Sequence, residues 1–285
     1  MDGAHRSPLF AAQHEPRYRR QELIADYEKM HECRLIVLID QIALHGTTFF
    51  QELLADVSGS PDLHVVVNSM GGDGETAIRM VRAAQSRCRR LTVIVPDLAK
   101  SAATLFAIGG HSIVMGPASD LGPVDPQLVL PGATSPRLVA AKDIVEAVRF
   151  ATEQVQAAPD TYPIHASLLG EISATLLQQA KSALARSGDL LLEALRSNPD
   201  RTEPDIKRLE QRLKPALIDS AHSHGATFGA TAAEAVGLPV ERLHPENEQW
   251  QRIWALWTRY FVLLNQGRAF AIYEGSRTSQ ILTAP

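Results

Sequence analysis

With 285 residues, the chain can bury a full core and lies near the upper size of one domain. Its formal net charge of −4 gives no electrostatic reason to expect a nucleic-acid partner, and two cysteines are too few for a disulfide framework. The chain shows no apolar run long enough to span a membrane and no apolar signal segment, so we expect a cytoplasmic protein without a transmembrane span.

The first 120 residues alternate predicted strands and helices after a polar N-terminal segment, residues 1–30. Aliphatic runs predict strands at Arg34–Asp40, Leu63–Val67, Leu91–Val95 and Ile113–Met115. Helical spacing predicts helices at Thr47–Val57, Glu75–Ala84 and Ser101–Ile108. This alternation predicts an α/β fold with a mostly parallel sheet, whose ligand site lies at the carboxyl ends of the strands.

The rest of the chain is predicted to be mainly helical. A Pro- and Gly-rich loop over the site is expected at Leu121–Pro136. Further predicted elements are helices at Lys142–Gln156, Leu168–Leu195 with an interruption at Gly188, and Arg208–Ser223, then a turn, helix, stop and strand at Gly225–Val240. Trp250, Trp254 and Trp257 form one helical stripe, which favours core or subunit packing. We therefore predict a main domain at 31–245 and a helical C-terminal extension at 246–285.

Two short stretches follow predicted strands at the same sheet edge. They are Asn-Ser-Met-Gly-Gly-Asp-Gly-Glu at 68–75 and Ala-Lys-Ser-Ala-Ala-Thr at 99–104. A glycine pair lets backbone N–H groups approach a ligand closely, and free N–H groups at a helix start favour a developing negative charge. Together they predict a nucleophile, Ser101, facing an oxyanion hole made by Gly71, Gly72 and Ala102. Either stretch alone would be explained by an ordinary strand-to-helix turn.

These stretches, followed by Leu-Gly-Pro-Val-Asp-Pro-Gln at 121–127, resemble in order and spacing the serine dehydrogenase proteinase family of the Clp–crotonase superfamily, which is related to signal peptide peptidase A. The resemblance extends from about Arg34 to Val240. It implies a Clp/crotonase-like β/α superfold spiral and a homo-oligomer. It also implies a serine endopeptidase acting on peptides or unfolded proteins without a cofactor. Met70 stands where related peptidases usually have proline, a change that removes no hydrogen-bond donor from the hole.

The family resemblance also suggests which group activates the serine. Clp-type enzymes use a histidine after the fourth strand, and no histidine lies near Val124 and Asp125. Relatives of signal peptide peptidase use a lysine roughly forty residues after the serine. Lys142 follows Ser101 by 142 − 101 = 41 residues, so the resemblance implies a Ser–Lys dyad. Asp125 would support the lysine or hold the loop. A solvated lysine at a helix start is the ordinary alternative.

Two other functions stay open at this point. A crotonase-like acyl-CoA lyase or hydratase would use the same hole but needs a carboxylate base in the pocket. A non-catalytic oligomeric interaction protein of the same fold is the second alternative. The histidines His111, His165, His222 and His224 lack the spacing of a metal site, so no metal is expected.

Overall fold

The computed structural model describes residues 7–59, 61–130, 137–219 and 226–283. His222 and His224, and the end of the loop predicted over the site, lie outside the described residues. The strands, in chain order, are β1 (Cys33–Ile39), β2 (Asp62–Asn68), β3 (Arg90–Val95), β4 (Leu98–Ala99), β5 (Ser112–Met115), β6 (Asp120–Leu121), β7 (Gln127–Leu130), β8 (Arg137–Ala140), β9 (Phe228–Gly229), β10 (Val240–Arg242), β11 (Ala271–Gly275) and β12 (Ser279–Leu282).

The helices surround these strands. In chain order they are α1 (Pro8–His31), α2 (Leu44–Ala55), α3 (Gly74–Gln85), α4 (Ala102–Ile108), α5 (Ala141–Ala157), α6 (Tyr162–Leu168), α7 (Ala174–Ser197), α8 (Glu203–Lys214), α9 (Ala230–Ala235) and α10 (Glu248–Asn265). A 3₁₀ turn at Pro159–Thr161 precedes α6, and a π-helical turn at Pro215–Asp219 follows α8. Among the described residues, no helix combines the length and the apolarity needed to cross a bilayer.

A mostly parallel sheet forms the centre of the α/β fold. Within the described residues its strand order is β10-β5-β3-β2-β1-β11-β12. The strands from β10 to β1 pair in parallel, as the alternation of strands and helices predicts, whereas β11 pairs antiparallel with β1 and with β12. The carboxyl ends of β1, β2 and β3 therefore lie at one edge, where the chain passes into α2, α3 and, through β4, α4.

Both faces of this sheet are covered, which explains the near-continuous apolar sequence of β1. Ile36 and Leu38 of β1 pack with α2, α3, α4 and α7 on one face. Leu35, Val37 and Ile39 point to the other face, where α1 and α10 cover them. This alternation follows the two-residue period of a strand. A smaller cluster, built on Ala141, Ile144 and Ala180, joins α5 to α7 beyond the sheet.

Several elements differ from the sequence prediction. The predicted Pro- and Gly-rich loop begins at the last residue of the short strand β6 and contains the first strand of the β7–β8 hairpin, because those residues find sheet and hairpin partners. Helix α7 runs through Gly188 without interruption; the buried contacts of α7 offset the roughly 1 kcal/mol that a glycine costs inside a helix. From Pro8 onward, the segment predicted as polar forms the long helix α1, which buries Ile24 and Tyr27.

The predicted C-terminal extension is helical only in α10. Beyond α10, β11 and β12 add two antiparallel strands to the central sheet. Residues 246–285 therefore contribute to the same sheet and core as the preceding domain. Trp250 and Trp257 of the predicted stripe are buried in that core, whereas Trp254 is exposed.

Candidate active site

Two loops meet at the carboxyl edge of the sheet through backbone hydrogen bonds. The first loop follows β2, and the second leads through β4 to α4. Ser69 N–H donates to Leu98 O (3.1 Å), and Lys100 N–H donates to Ser69 O (2.9 Å). The structure therefore brings together the two stretches that the sequence singled out.

Ser101 occupies an unusual backbone conformation between β4 and α4. Its φ is +49° and its ψ is −116°, one of two positive φ values at non-glycine residues in the described chain. Such a conformation costs of order 1–3 kcal/mol and persists only when the surrounding structure enforces it. A sharp strand–serine–helix turn is also how hydrolases expose a nucleophilic hydroxyl. Within the described residues, the Ser101 side chain makes no hydrogen bond and lines a cleft.

Gly71 lies directly against the Ser101 turn. A Cβ added at Gly71 would stand 2.6 Å from Ser101 Cβ and 2.7 Å from Lys100 O, and the φ of Gly71 is +101°. Gly72 is equally constrained, because its φ is +139° and a Cβ there would lie 2.2 Å from Ile42 O. Both positions therefore require glycine for close backbone approach.

The segment after β1 fixes the glycine turn from the other side. Ile42 N–H donates to Gly71 O and Asp73 N–H donates to Ile42 O, both at 2.8 Å. Asp73 also caps α3 by accepting a hydrogen bond from Thr76 N–H (3.0 Å). The turn is thus held by backbone bonds and a helix cap rather than by flexible side chains.

Two backbone N–H groups remain open beside Ser101. Gly71 N–H donates to Ser69 Oγ (3.1 Å), so it is used within the turn. Gly72 N–H and Ala102 N–H have no acceptor among the described residues. Ala102 is the first residue of α4, a position whose N–H has no acceptor within a helix. Of the predicted hole residues, Gly72 and Ala102 offer donors, and Gly71 shapes the turn.

Lys100 points away from this group. Its Nζ binds the carboxylate of Asp120 and donates to Leu121 O and Ala226 O, both at 3.2 Å. The side chain is buried, and a Cβ at Gly122 would collide with it. Lys100 therefore ties β4 to β6 and to the chain before β9, and its side chain does not contact the Ser101 hydroxyl.

A cleft of about 250 Å³ opens in front of Ser101. Its walls come from the glycine turn, the Ser101 turn, the segment before β7 and one face of α7. They are formed by Gly72, Asp73, Gly74, Glu75, Ser101, Ala102, Leu105, Val124, Asp125, Pro126, Ala183, Arg186, Ser187 and Leu190. At the rim, Arg186 donates two hydrogen bonds to Glu75 (2.6 and 2.7 Å) and holds the pKa of that carboxyl below its usual range.

The β7–β8 hairpin brings the backbone next to Lys142 into contact with the wall of this cleft. Ala141 N–H donates to Pro126 O (2.9 Å), and Pro126 lines the cleft with Ser101. Lys142 follows Ala141 and is only 9% exposed. Its Nζ is buried without a hydrogen-bond partner in the described structure, so it makes no hydrogen bond to Ser101 Oγ. The structure brings the lysine to the site region without closing a Ser–Lys contact.

Asp125 lies in the same wall and is 1% exposed. Its Oδ2 accepts a hydrogen bond from Gln127 Nε2 (3.2 Å). The carboxylate therefore holds the turn that leads into β7 and also borders the cleft. In the described part of the chain, no group of three or more His, Cys, Asp or Glu side chains could hold a metal ion.

Three features of the site could not be predicted from the sequence. Ile42 braces the glycine turn through backbone atoms alone, so its side-chain identity does not reveal the role. Ser187 and Leu190 reach the cleft because α7 packs across α3 and α4, a tertiary contact that a helical pattern does not specify. The Glu75–Arg186 pair joins residues 111 positions apart.

Comparisons with known proteins give limited matches. No family model matches the chain. The uncharacterized protein MJ0137 of Methanocaldococcus jannaschii is 32% identical over 81 residues, which are 27% of this chain. The match spans 28% of that relative's length.

Two solved structures are similar in part. A mutant of the 1510-N membrane-bound stomatin-specific protease shares 19% identity at a TM-score of 0.32, over 42% of this chain and 60% of that one. A peptidase from Plasmodium falciparum shares 12% identity at a TM-score of 0.38, over 78% of this chain and 98% of that one. Both neighbours are peptidases, but likenesses this distant carry no argument about this chain's function.

Proposed function

We propose that the chain is a serine peptidase in which Ser101 is the nucleophile, Gly72 and Ala102 bind the oxyanion, and Lys142 is the general base. The observation that carries this proposal is the enforced conformation of Ser101. A strained serine, packed against a glycine where no side chain fits, borders a cleft beside two open N–H donors. Strain of this kind collects at functional sites.

The proposed reaction is acyl transfer to water. The Lys142 amine accepts the Ser101 hydroxyl proton as Oγ attacks the peptide carbonyl carbon. The carbonyl oxygen becomes an anion that accepts hydrogen bonds from Gly72 N–H and Ala102 N–H. As the C–N bond breaks, the lysine ammonium gives its proton to the leaving amine. Water then attacks the acyl-enzyme, again through Lys142, and releases the acid and free Ser101.

The environment of Lys142 suits a base. Its Nζ is buried and makes no hydrogen bond in the described structure, so no other described protein group engages the amine. The missing contact to Ser101 is compatible with the role, because catalytic hydrogen bonds often tighten only when substrate is bound. Asp125, in the adjoining wall, would steady the ammonium formed during the reaction.

Labelling and hydrolysis test the proposal together. Wild-type protein should react with a serine-directed fluorophosphonate at Ser101 and hydrolyse denatured casein. Ser101→Ala should abolish both, whereas the matched control Ser167→Ala, at an exposed serine of α6, should abolish neither. Unchanged hydrolysis by Ser101→Ala would overturn the assignment of the nucleophile.

The same experiment separates the two alternative functions. An acyl-CoA lyase would need a free carboxylate base in the cleft. The carboxylates there are engaged: Asp73 caps α3, Glu75 binds Arg186 and Asp125 accepts from Gln127. Saturable binding of an acyl-CoA thioester without fluorophosphonate labelling would favour the lyase, and the absence of both would favour an interaction protein.

Membership of the serine dehydrogenase proteinase family, the Clp/crotonase spiral and a homo-oligomer belong to this proposal as well. The exposed Val129 and Leu138 on the β7–β8 hairpin offer an apolar surface for subunit contact beside the cleft. Mass photometry of the purified protein should then show a multiple of the 31.1 kDa chain.

A further inference from the structure

Helix α10 has apolar residues on two faces. The inner face is buried against the sheet through residues such as Ile253, Trp257 and Tyr260. The outer face carries Trp254, Phe261 and Val262, which are 46, 51 and 47% exposed. Residues 254, 258, 261 and 262 share one side of a helix by spacing. The core accounts for the inner face only, so the outer face lacks a partner among the described residues.

A groove of about 710 Å³ lies between α10 and α1. It is lined by Glu15, Pro16, Arg19, Arg20, Thr258, Arg259, Val262, Leu263, Gln266 and Arg268. Four of these residues are arginines and one is acidic. Thr258 and Val262 line the groove and share one side of α10 with Trp254 and Phe261, so the apolar residues border the basic groove. We call the groove and these bordering residues the α1–α10 face.

The arginines of this face differ in what they bind. Arg20 is neutralised by buried Glu274, to which it donates two hydrogen bonds (2.7 and 3.1 Å), and Arg19 pairs with Glu22. In the described part of the chain, the side chains of exposed Arg259 and Arg268 form no ion pair or hydrogen bond. They supply positive charge that no ion pair within the described fold neutralises, and Glu15 is the one acidic residue lining the groove with them.

The sequence around α10 reinforces this charge. From Gln249 to Tyr273 there are three arginines and no aspartate or glutamate, in a chain whose net charge is −4. Two of them, Arg259 and Arg268, line the groove, and the third, Arg252, pairs with Glu248. This segment is thus locally positive, whereas the whole chain has a net negative charge.

The positive charge of the α1–α10 face distinguishes between the partners that could bind it. In a two-fold dimer the same patch meets itself, which would bring Arg259 and Arg268 near their own copies. An anionic surface complements them instead. Half-exposed Trp and Phe beside unpaired arginines are the side chains that enter the interfacial layer of a bilayer while binding its headgroups. We propose that the α1–α10 face docks the protein on an anionic lipid surface.

Vesicle sedimentation tests this docking with the full chain. Protein should pellet with vesicles of phosphatidylcholine and phosphatidylglycerol but not with phosphatidylcholine alone, and added salt should weaken binding. Arg259→Gln combined with Arg268→Gln should lower the partition coefficient about 25-fold, at about fivefold for each arginine near an anionic membrane. Trp254→Ala combined with Phe261→Ala should lower it as well on the anionic vesicles.

Matched controls lie on the opposite side of the sheet. Arg79→Gln with Arg87→Gln changes the charge equally at exposed positions in and just after α3 and should leave binding intact. Since Trp250 and Trp257 are buried, a vesicle-induced blue shift of tryptophan emission should vanish in Trp254→Phe.

Several results would overturn the proposal. They are failure of wild-type protein to pellet with anionic vesicles, equal loss of binding in the α3 control, or an emission shift that persists in Trp254→Phe. Full competition by an acidic peptide would assign the face to a protein partner, and a change of oligomeric state in the double arginine variant would assign it to a second copy. Peptidase activity is not part of the readout, so this test is independent of the proposed function.

Discussion

The two halves of the candidate dyad are built in different ways. The Ser101 half lies at the edge of the central sheet, where backbone hydrogen bonds from Ser69 and Ile42 fix both turns. The Lys142 half lies at the end of a two-stranded hairpin outside that sheet, tied to the cleft by the bond from Ala141 to Pro126. One half is fixed by backbone hydrogen bonds from several sides, and the other by one backbone bond next to the lysine and by the packing of α5 on α7.

In the proposed mechanism, oxyanion binding and proton transfer have different structural requirements. Oxyanion binding needs donors that are already in place, since their value depends on not reorganising during the reaction. A base can move, because it must first accept and then return a proton. The Ala141, Ile144 and Ala180 cluster gives the hairpin side its own small core, so this side can adjust without disturbing the glycine turn.

Removing the proposed base, Lys142, should give the largest effect on activity. Lys142→Met keeps an unbranched side chain but removes the amine, so kcat should fall by about 10²-fold or more, as expected for a general base. The fold should persist, because Nζ makes no hydrogen bond in the described structure. Casein hydrolysis and a thermal melt measure the two effects, with Lys207→Met on exposed α8 as control. Wild-type kcat in Lys142→Met would transfer the role to another group.

The second-largest effect is expected from adding a side chain in the glycine turn. Gly71→Ala places a Cβ 2.6 Å from Ser101 Cβ at a φ of +101°, so we expect a loss of about 3 kcal/mol or more in unfolding free energy, together with loss of activity. Gly59→Ala is the matched control: its φ is +78° but nothing lies within 4 Å, so it should lose about 1 kcal/mol. Equal urea-denaturation midpoints for the two variants would mean that the close approach at Gly71 carries no constraint.

The charge of Asp125 should have a smaller effect. Asp125→Asn retains an acceptor for Gln127 but removes the negative charge from the cleft wall, so kcat should fall about tenfold while the melting temperature changes little. Asp143→Asn, at an exposed residue beside Lys142, should leave kcat unchanged. Should both variants keep full activity across a pH series, Asp125 would serve the turn alone.

The smallest effect isolates the strain at Ser101. Ser101→Gly and Ser101→Ala both lack the hydroxyl and should both be inactive. Since glycine accepts a positive φ readily, the glycine variant should be more stable than the alanine variant by about 1 kcal/mol in urea unfolding. Identical stability would contradict the enforced conformation on which the nucleophile assignment depends.

The sequence predicts the Ser101 half far better than the Lys142 half. Strands β1, β2, β3 and β5 are aliphatic runs, and glycines mark the turns that follow β2. Local pattern therefore places Gly71, Gly72, Ser101 and Ala102 at one edge, where the structure has them. The prediction that Lys142 is the base depends only on its spacing from Ser101 in the resembling family, and its contact with Ser101 stays a prediction.

The features that the sequence does not predict depend on tertiary contacts. The β7–β8 and β11–β12 hairpins are short, and nothing local distinguishes them from loop. Gly188 signals a break in isolation, yet α7 continues because its neighbours bury it. Ile42 acts through its backbone N–H and C=O groups, so its role cannot be recognised from its side chain.

The pairing of β11 with β1 bears on the order in which the molecule can assemble. Arg20 and Glu274 are 254 positions apart, and their buried contact also includes the Tyr260 hydroxyl. During synthesis β1 emerges early, but its second neighbour in the sheet is made more than two hundred residues later, so one edge of the nascent sheet stays open to other chains. A chaperone that covers this edge, or a protease that recognises it, would distinguish finished molecules from interrupted ones.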